Sequence, residues 1–211
     1  PDNTHSFYVD QWDWELIIDK EDRTEKYLKQ TVEIIYRTMK SLDEYLCGLI
    51  PTRQKLLKDQ IRFLTSQELL AMYPDKDSKE RERLAAKEFG AIFLSQIGTV
   101  LTNGEKHDNR APDYDDWLLN GDIIVYNPVL DDALELSSMG IRVDSHRLNE
   151  QLKQSGNLDR LKYDYHRLLL DDKLPQTIGG GIGQSRLCMF FLQKAHIGEV
   201  QVSYWPDDQR R

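Results

Sequence analysis

The sequence has little of what marks several protein classes. It contains only two cysteines, Cys47 and Cys188, at no metal-ligand spacing, so neither a disulfide framework nor a zinc site is indicated. No stretch approaches the roughly 18 consecutive apolar residues of a membrane-spanning helix, and no signal-type segment opens the chain. We therefore expect a cytoplasmic protein of a reducing compartment, without a membrane partner.

A surplus of positive charge is also missing. The chain carries 36 acidic against 28 basic residues, a formal net charge of -8. Domains that bind duplex nucleic acid usually present a basic face to the phosphates, so we expect no nucleic-acid partner. Repeats, low-complexity tracts and linkers are absent as well, and 211 residues suit one hydrophobic core. We predict a single domain over residues 1–211.

Hydrophobic periodicity predicts a mixture of strands and helices. Alternation over residues 7–15 predicts a strand whose polar face carries Val9, Gln11, Asp13 and Glu15. Apolar positions three or four apart predict a long amphipathic helix within residues 22–46. Further strands are predicted at 61–64, 91–94, 96–101, 122–126, 133–136 and 141–143, and helices after Thr65 and Asp77 and over 144–155 and 158–170. The segregated pattern favours an α+β fold.

A glycine-rich run leads into an apolar helical segment and is the most informative motif. It extends from Gly179 to Arg186 and includes Gly181 and Gly183. Glycines let a strand approach a flat ligand, and an arginine at the start of a helix can bind a phosphate or lie on an adenine ring. The run is neither a P-loop nor a dinucleotide-binding fingerprint. On its own it is equally compatible with a glycine-rich turn that carries a solvated arginine.

Gly-x-Gly-x-x-Arg followed by an apolar helix resembles motif 3 of the class II aminoacyl-tRNA synthetase fold, in which the arginine contacts ATP. The resemblance extends almost end to end and is closest to one family, the ammonia-dependent asparagine synthetases or aspartate–ammonia ligases. Four segments in the same order carry it: YVDQWDWE (8–15), RAPDYDDW (110–117), ALELSSMGIRV (133–143) and PQTIGGGIGQSRL (175–187).

The resemblance implies a fold and a reaction. The fold is an antiparallel β-sheet flanked by helices, as in class II synthetase catalytic domains, and such domains usually form homodimers. The reaction is the ATP-dependent amidation of L-aspartate with ammonia through a β-aspartyl-adenylate, with release of AMP and pyrophosphate. A carboxylate oxygen is a poor leaving group, which is why it must first be joined to phosphate.

The resemblance also implies ligands for ATP. Asp122 and Glu135 provide hard oxygen ligands suited to Mg²⁺ on the phosphates. Taken without the resemblance, the same two acids read as surface charges. The expected ATP-binding residues are Ser6, Val9, Ser138, Arg142, Gly179 and Arg186, with adenine between Val9 and Arg186. Val9 stands where the synthetases usually place a phenylalanine.

Aspartate and ammonia require a second group of residues. Gln11 and Asp13 share one strand face, where an amide can donate to the reacting carboxylate and an acid can take the substrate ammonium. Asp115 is a candidate to attract ammonium and accept its proton, although it can equally belong to a solvated acidic loop. Arg110 can pair with the acidic cluster at residues 113–116, which includes Asp115, or with the substrate carboxylate. Gly181 and Gly183 complete the predicted substrate-binding set, and the predicted catalytic set is Gln11, Asp13, Asp115 and Arg186.

Other conspicuous side chains are expected to be structural. Aromatic residues bury large areas, and the five histidines form no ligand set. Cys188 is expected to face the core. These aromatic residues are Tyr8, Trp12, Trp14, Trp117 and Trp205.

Family resemblance further predicts that an N-terminal portion and loop segments are missing: before Pro1, near Asp2–His5 and after Trp117. The motif 2 arginine would lie in the portion before Pro1. Two alternatives to the ligase remain open: the catalytic core of an aspartyl- or asparaginyl-type tRNA synthetase, and a non-catalytic paralogue that binds an amino acid or an adenylate.

Overall fold

Six strands form one sheet in the computed structural model, which describes residues 2–209. They are β1 (Gln11–Ile17), β2 (Arg62–Thr65), β3 (Ala91–Ser95), β4 (Asp115–Asn127), β5 (Asp132–Arg142) and β6 (Thr177–Gly183). The spatial order is β1-β6-β5-β4-β3-β2. All neighbours pair antiparallel except β2 and β3, which are parallel because two helices return the chain between them.

Helices cover both faces of the sheet. They are α1 (Glu25–Leu49), α2 (Ser66–Met72), α3 (Ser78–Phe89), α4 (Ser145–Gln154), α5 (Asp164–Leu170) and α6 (Gln184–Phe191). Thr65 and Glu68 form the predicted capping box of α2, and the Asp77 side chain caps α3. Gly90 ends α3 with φ of 81°, a conformation that favours glycine. None of the helices in residues 2–209 is both long and apolar enough to span a bilayer.

Three apolar clusters hold these layers together. The largest lies between one sheet face and helices α1 and α6, and it includes Leu28, Val32, Ile123 and Phe190. A second packs α2 and α3 against the opposite face of β3 and β4, and a third lies under α4 and α5. The second cluster covers only part of its face. The rest of that face, on β1, β6, β5 and β4, carries polar side chains.

Several local predictions were wrong. Residues 7–10 lie outside β1 because β6 ends at Gly183 and leaves them no strand partner. No strand forms over residues 96–101, where Gln96 and Gly98 have positive φ. Residues 158–170 form a 3₁₀ turn and the short helix α5, with Tyr163 extended between them. The two strands predicted at 133–136 and 141–143 are one strand, β5.

Burial of the aromatic residues and of Cys188 differs from the expectation. Trp117 is buried, but Trp12 is 53% exposed because β1 is the edge strand of the sheet. Cys188 is exposed on α6, so its predicted place in the core was wrong. The described chain carries β4 straight through Trp117 as one strand, with a break in register between Asp115 and Asn120.

Candidate active site

Strand register assembles a polar row across four strands. Asp13 pairs with Gly181, Gly181 with Ser138, and Ser138 with Asp122. Residues in direct register across neighbouring strands project from the same face of a sheet. Predicted site residues from distant parts of the sequence therefore stand side by side on the polar face.

A bulge in β5 adds Glu135 to this face. Ser137 pairs with Ile123, whereas the next pairing joins Glu135 to Ile124, so Leu136 is an extra residue in β5. In a regular strand Glu135 and Ser138 would project from opposite faces, because their separation is odd. The extra residue returns the side chain of Glu135 to the face of Asp122 and Ser138.

Asp122 is buried between one positive and one negative neighbour. Its Oδ2 accepts a hydrogen bond from Arg110 Nη2, and Arg110 Nη1 donates to Ser138 Oγ at 2.9 Å. Burial, and then the nearby charge of Glu135, raises the pKa of Asp122 to about 7, although Arg110 opposes the shift. Asp122 Oδ1 is buried with no hydrogen-bond partner. Two neighbouring carboxylates and an unpaired oxygen fit a bound divalent cation.

The glycines of β6 form a floor without side chains on the polar face. A Cβ on Gly179 would clash with Glu15 Oε2, and a Cβ on Gly181 would lie 2.9 Å from Asp13 Oδ1. At Gly183 a Cβ would meet only Arg186, at an ordinary 3.7 Å. Strand β1 can therefore lay its polar side chains across β6.

Arg186 lies at one end of this floor, in the first turn of α6. Its Nη1 donates to the Glu135 carbonyl at 3.3 Å and lies 4.0 Å from Glu135 Oε2. Its Nη2 is 2.7 Å from His5 Nε2, and its Nε donates to the Thr4 carbonyl at 3.4 Å. The guanidinium is thus held between the N-terminal segment and the candidate cation ligands.

Two adjoining clefts open onto the glycine floor. Gln11 and Gly181 line both of them. The first cleft also contains Ser6, Val9, Glu135, Gly183 and Arg186. The second, of about 360 Å³, also contains Asp13, Arg110, Asp115 and Ser138. Gln11 therefore stands where a molecule in the first cleft would meet one in the second.

Arg142 lies at the opposite end of the floor from Arg186. Its Nη2 donates to Glu15 Oε2 at 2.6 Å, its Nη1 donates to Asp115 Oδ1, and its guanidinium carbon lies 4.0 Å from the centre of the Tyr114 ring. Burial raises the pKa of Asp115, although Arg142 opposes the shift. The pKa of Glu15 is lowered despite its partial burial, because Arg142 donates to it. Asp115 is therefore a part-buried carboxylate of the second cleft rather than part of a solvated loop.

The structure groups most of the predicted residues around the two clefts, with three exceptions. Asp122, Gly179 and Arg142 line neither cleft: Asp122 is buried against Arg110, and Arg142 borders a recess with Glu15 and Tyr114. Seven residues along β5, or about 20 Å, separate Arg142 from Glu135. The predicted contact of Arg142 with ATP stays a prediction, but its observed partners belong to the other end of the floor.

Some residues of the site were absent from the predicted set. Glu15 contacts Arg142, Tyr114 lines the second cleft, and His5 contacts Arg186. The alternation of β1 already put Glu15 on the polar face and was the available signal. Nothing in the local pattern singled out His5 or Tyr114.

The six-stranded sheet and its flanking helices have the fold of class II synthetase catalytic domains. The structure is similar to asparaginyl-tRNA synthetase from Entamoeba histolytica in complex with asparaginyl-adenylate, with a TM-score of 0.65 and 18% identity over 97% of this chain and 49% of that one. Aspartyl-tRNA synthetase from the same organism gives a TM-score of 0.66 and 15% identity over 95% of this chain and 44% of that one. At this level of identity the likeness shows the fold, and it confirms the predicted fold class.

The family is defined by sequence. A family model described as aspartate-ammonia ligase matches residues 1–211, and the chain belongs to that family. It is 58% identical to the aspartate–ammonia ligase of Clostridium perfringens (strain SM101 / Type A) over 210 residues, which cover 100% of this chain and 62% of the relative. A Bacillus cytotoxicus protein of the same name is 58% identical over 209 residues, covering 99% of this chain and 64% of the relative. The chain thus spans a little under two thirds of these relatives.

Proposed function

We propose that the protein amidates L-aspartate with ammonia to give L-asparagine, and that it does so through a β-aspartyl-adenylate formed from ATP. The observation that carries this proposal is the meeting of the two clefts at Gln11 and Gly181. Candidate phosphate-binding groups lie on one side of that meeting point and carboxylates on the other. Membership of the ligase family supports the same reaction.

The first cleft is proposed to hold ATP. Adenine lies near Val9 and Ser6. The Arg186 guanidinium neutralises the negative charge of the phosphates, including the charge that moves onto pyrophosphate as it leaves. Asp122 and Glu135 would hold Mg²⁺, which supplies further charge neutralisation when bound. Ser138, which receives a hydrogen bond from Arg110, supports the Asp122 side of this pair.

The second cleft is proposed to hold aspartate. Asp13 binds the substrate ammonium, Arg110 offers its guanidinium to a substrate carboxylate, and the Gln11 amide orients the β-carboxylate toward the first cleft. A β-carboxylate oxygen then attacks the α-phosphorus, and pyrophosphate leaves. Gly181 and Gly183 leave room for this approach because no Cβ projects from the floor.

Ammonia completes the reaction at the acyl carbon. The nitrogen attacks the β-aspartyl-adenylate, the bond to the AMP oxygen breaks, and the nitrogen loses a proton. Asp115 is the proposed proton acceptor, because it is a part-buried carboxylate of the aspartate cleft whose pKa is raised by removal from solvent. A raised pKa brings a carboxylate nearer to the range in which it can hold that proton.

The test uses the full-length protein with ATP, Mg²⁺, aspartate and ammonium, in the absence of tRNA. We expect formation of asparagine, AMP and pyrophosphate in equal amounts. AMP release that requires tRNA would instead identify a synthetase core, and an absence of turnover with retained ligand binding would identify a non-catalytic paralogue. Glutamine in place of ammonium tests the nitrogen source, and we expect it to be inactive.

A substitution localises the chemistry. Arg186→Ala should abolish pyrophosphate formation while the fold is retained, because it removes the guanidinium beside Glu135. Arg167→Ala is the matched control, since Arg167 is a surface arginine with 64% of its side chain exposed. Unchanged turnover of the Arg186→Ala variant would refute the assigned role.

The proposal includes a homodimer in the cytoplasm. The homodimer rests on the family resemblance, and the cytoplasmic location is in keeping with two free thiols, Cys47 and Cys188. Sedimentation of the full-length protein tests the first statement, and cell fractionation tests the second. Nucleic acid is expected to have no effect on turnover.

A further inference from the structure

A buried pair of side chains joins α3 to the connection between β3 and β4 and takes no part in the proposed chemistry. His107 Nε2 lies 2.8 Å from Glu82 Oε1. The side chains are only 1% and 11% exposed, respectively. Glu82 also accepts from Lys79 Nζ at 3.1 Å. The free-energy cost of burying a carboxylate and an imidazole can exceed the gain from such contacts, so the stability of the fold alone does not account for the pair.

The two partners come from different kinds of element, a helix and a long connection between two strands. Glu82 belongs to helix α3, which packs on β4 and β5 beside the polar face. His107 belongs to the 19 residues between β3 and β4, which contain no strand or helix and only one isolated bridge, Val100 with Lys106. Residues 107–113 make no backbone–backbone hydrogen bond with the described residues, so side-chain contacts contribute most to holding this stretch in place.

Arg110 follows His107 by three residues in the same segment. Its Nη1 donates to Ser138 and its Nη2 to Asp122. On its far side, the Ala111 carbonyl accepts from Trp117 Nε1 at 3.2 Å. Arg110 is therefore held between two anchored points, and one of these is the contact between His107 and Glu82.

We propose that Glu82 and His107 are positioning residues for Arg110: by tying the segment to α3, they hold the guanidinium against Asp122 and Ser138 at the edge of the aspartate cleft. The proposal rests on the proposed function for its kinetic consequence only. The structural consequence, a more mobile segment when the contact is lost, does not depend on which reaction the protein catalyses.

The experiment compares four substitutions in the full-length protein. His107→Leu removes the contact by changing the connection between β3 and β4, and Glu82→Ala removes it by changing helix α3. His107→Gln retains an amide that can donate to Glu82. Glu88→Ala is the matched control, because Glu88 also lies on α3 but accepts from Tyr73 Oη at 2.8 Å, in a contact that does not involve the segment.

Kinetics separate positioning from general destabilisation. We expect His107→Leu and Glu82→Ala to raise the KM for aspartate about tenfold, a size typical of lost supporting contacts, with a smaller change in the KM for ATP. His107→Gln should recover most of this loss, and Glu88→Ala should resemble the wild type. In an Arg110→Ala background, His107→Leu should add nothing further, because both changes act through one guanidinium. Additive effects would overturn the proposal.

Hydrogen exchange gives a readout that does not require activity. Loss of the contact should speed exchange of the two N–H groups that donate to carbonyls of the segment, Trp117 Nε1 to Ala111 and the Val143 amide to Tyr114, while the amides of β4 and β5 keep their protection. Unchanged exchange in both contact-removing variants would also overturn the proposal. Lack of turnover in the wild type would refute the proposed function alone, and the exchange result would still decide the positioning role.

Discussion

Adding one methyl group to adjacent glycines of β6 should separate the function of the glycine floor from its packing. Gly180 and Gly181 are neighbours whose side-chain positions face opposite sides of the sheet. A Cβ on Gly180 would lie 2.6 Å from both Met139 Cβ and the Ser138 carbonyl oxygen. A Cβ on Gly181 would lie 2.9 Å from Asp13 Oδ1 and 3.4 Å from Gln11, both flexible side chains over the clefts.

The two substitutions should therefore differ in kind. Carbon atoms pack at about 3.5–4 Å, so Gly180→Ala must push the central strands β5 and β6 apart by about 1 Å. Overpacking of this type costs about 1–3 kcal/mol, and each kcal/mol lowers the melting temperature by about 2–4 °C in a chain of this size. Gly181→Ala should cost much less, because Asp13 and Gln11 can move. One methyl group in a binding site is worth about 1–3 kcal/mol, or roughly 10–200-fold in kcat/KM.

Thermal unfolding and steady-state kinetics with varied aspartate measure both effects. We expect Gly180→Ala to lose stability and Gly181→Ala to lose kcat/KM for aspartate at near-normal stability. Gly48→Ala is the control, because a Cβ there meets nothing within 4 Å and helix α1 should gain up to about 1 kcal/mol. A Gly181→Ala variant with full activity would refute the idea that Gly181 forms the floor shared by the clefts.

Three further predictions concern charged groups. Glu135→Gln should lower the pKa of Asp122 from about 7, because burial and then the charge of Glu135 are the largest causes of its elevation. A carboxyl titration followed by NMR measures the pKa of Asp122, and an unchanged value would contradict the prediction. Asp43→Asn should lower the free energy of unfolding in urea by about 3–5 kcal/mol, because fully buried Asp43 lies 2.5 Å from Arg53. A loss of less than about 1 kcal/mol would contradict this prediction. The pKa of Asp113 is lowered despite burial, because His166 and Arg160 donate to it. Its stabilising contribution is therefore present above the ordinary pKa near 3.8 and disappears as pH falls through the lowered value, so Asp113→Asn should flatten the acid side of the unfolding free-energy curve.

Local chemistry made parts of the fold predictable. The spacing of Leu28, Val32 and Met39 correctly predicted helix α1. Each observed end of α1 differs by three residues from the predicted one, because apolar spacing marks the buried face of a helix but not its ends. Thr65 and Asp77 placed the starts of α2 and α3, since a side-chain oxygen that accepts from a backbone N–H is a purely local interaction.

Other features depend on contacts between distant residues. The extra residue at Leu136 cannot be read from β5 alone, because a bulge is defined only against the pairing of β4. Placing Asp115 beside Arg142 likewise requires the register of these two strands. Alternation alone would have put Glu135 on the face opposite Ser138. For the candidate cation ligands it was the family resemblance, rather than periodicity, that led to two carboxylates on one face.

The centre of β5 was wrongly predicted to lie outside a strand. The same residues belong to the candidate site, and one cause explains both facts. Ser137, Ser138 and Gly140 are poor strand formers, and the sequence pattern split the strand there. In the structure β4 and β6 pair with this stretch on both sides, and tertiary context overrides the weak propensity. Small side chains are needed at these positions: Ser138 receives Arg110, and a Cβ on Gly140 would lie 2.7 Å from Asp115 Cγ. A strand pattern that small residues interrupt between two well-formed halves is thus itself a marker of a site. Larger strand-forming side chains at these positions would fill the space that the polar groups of the site occupy.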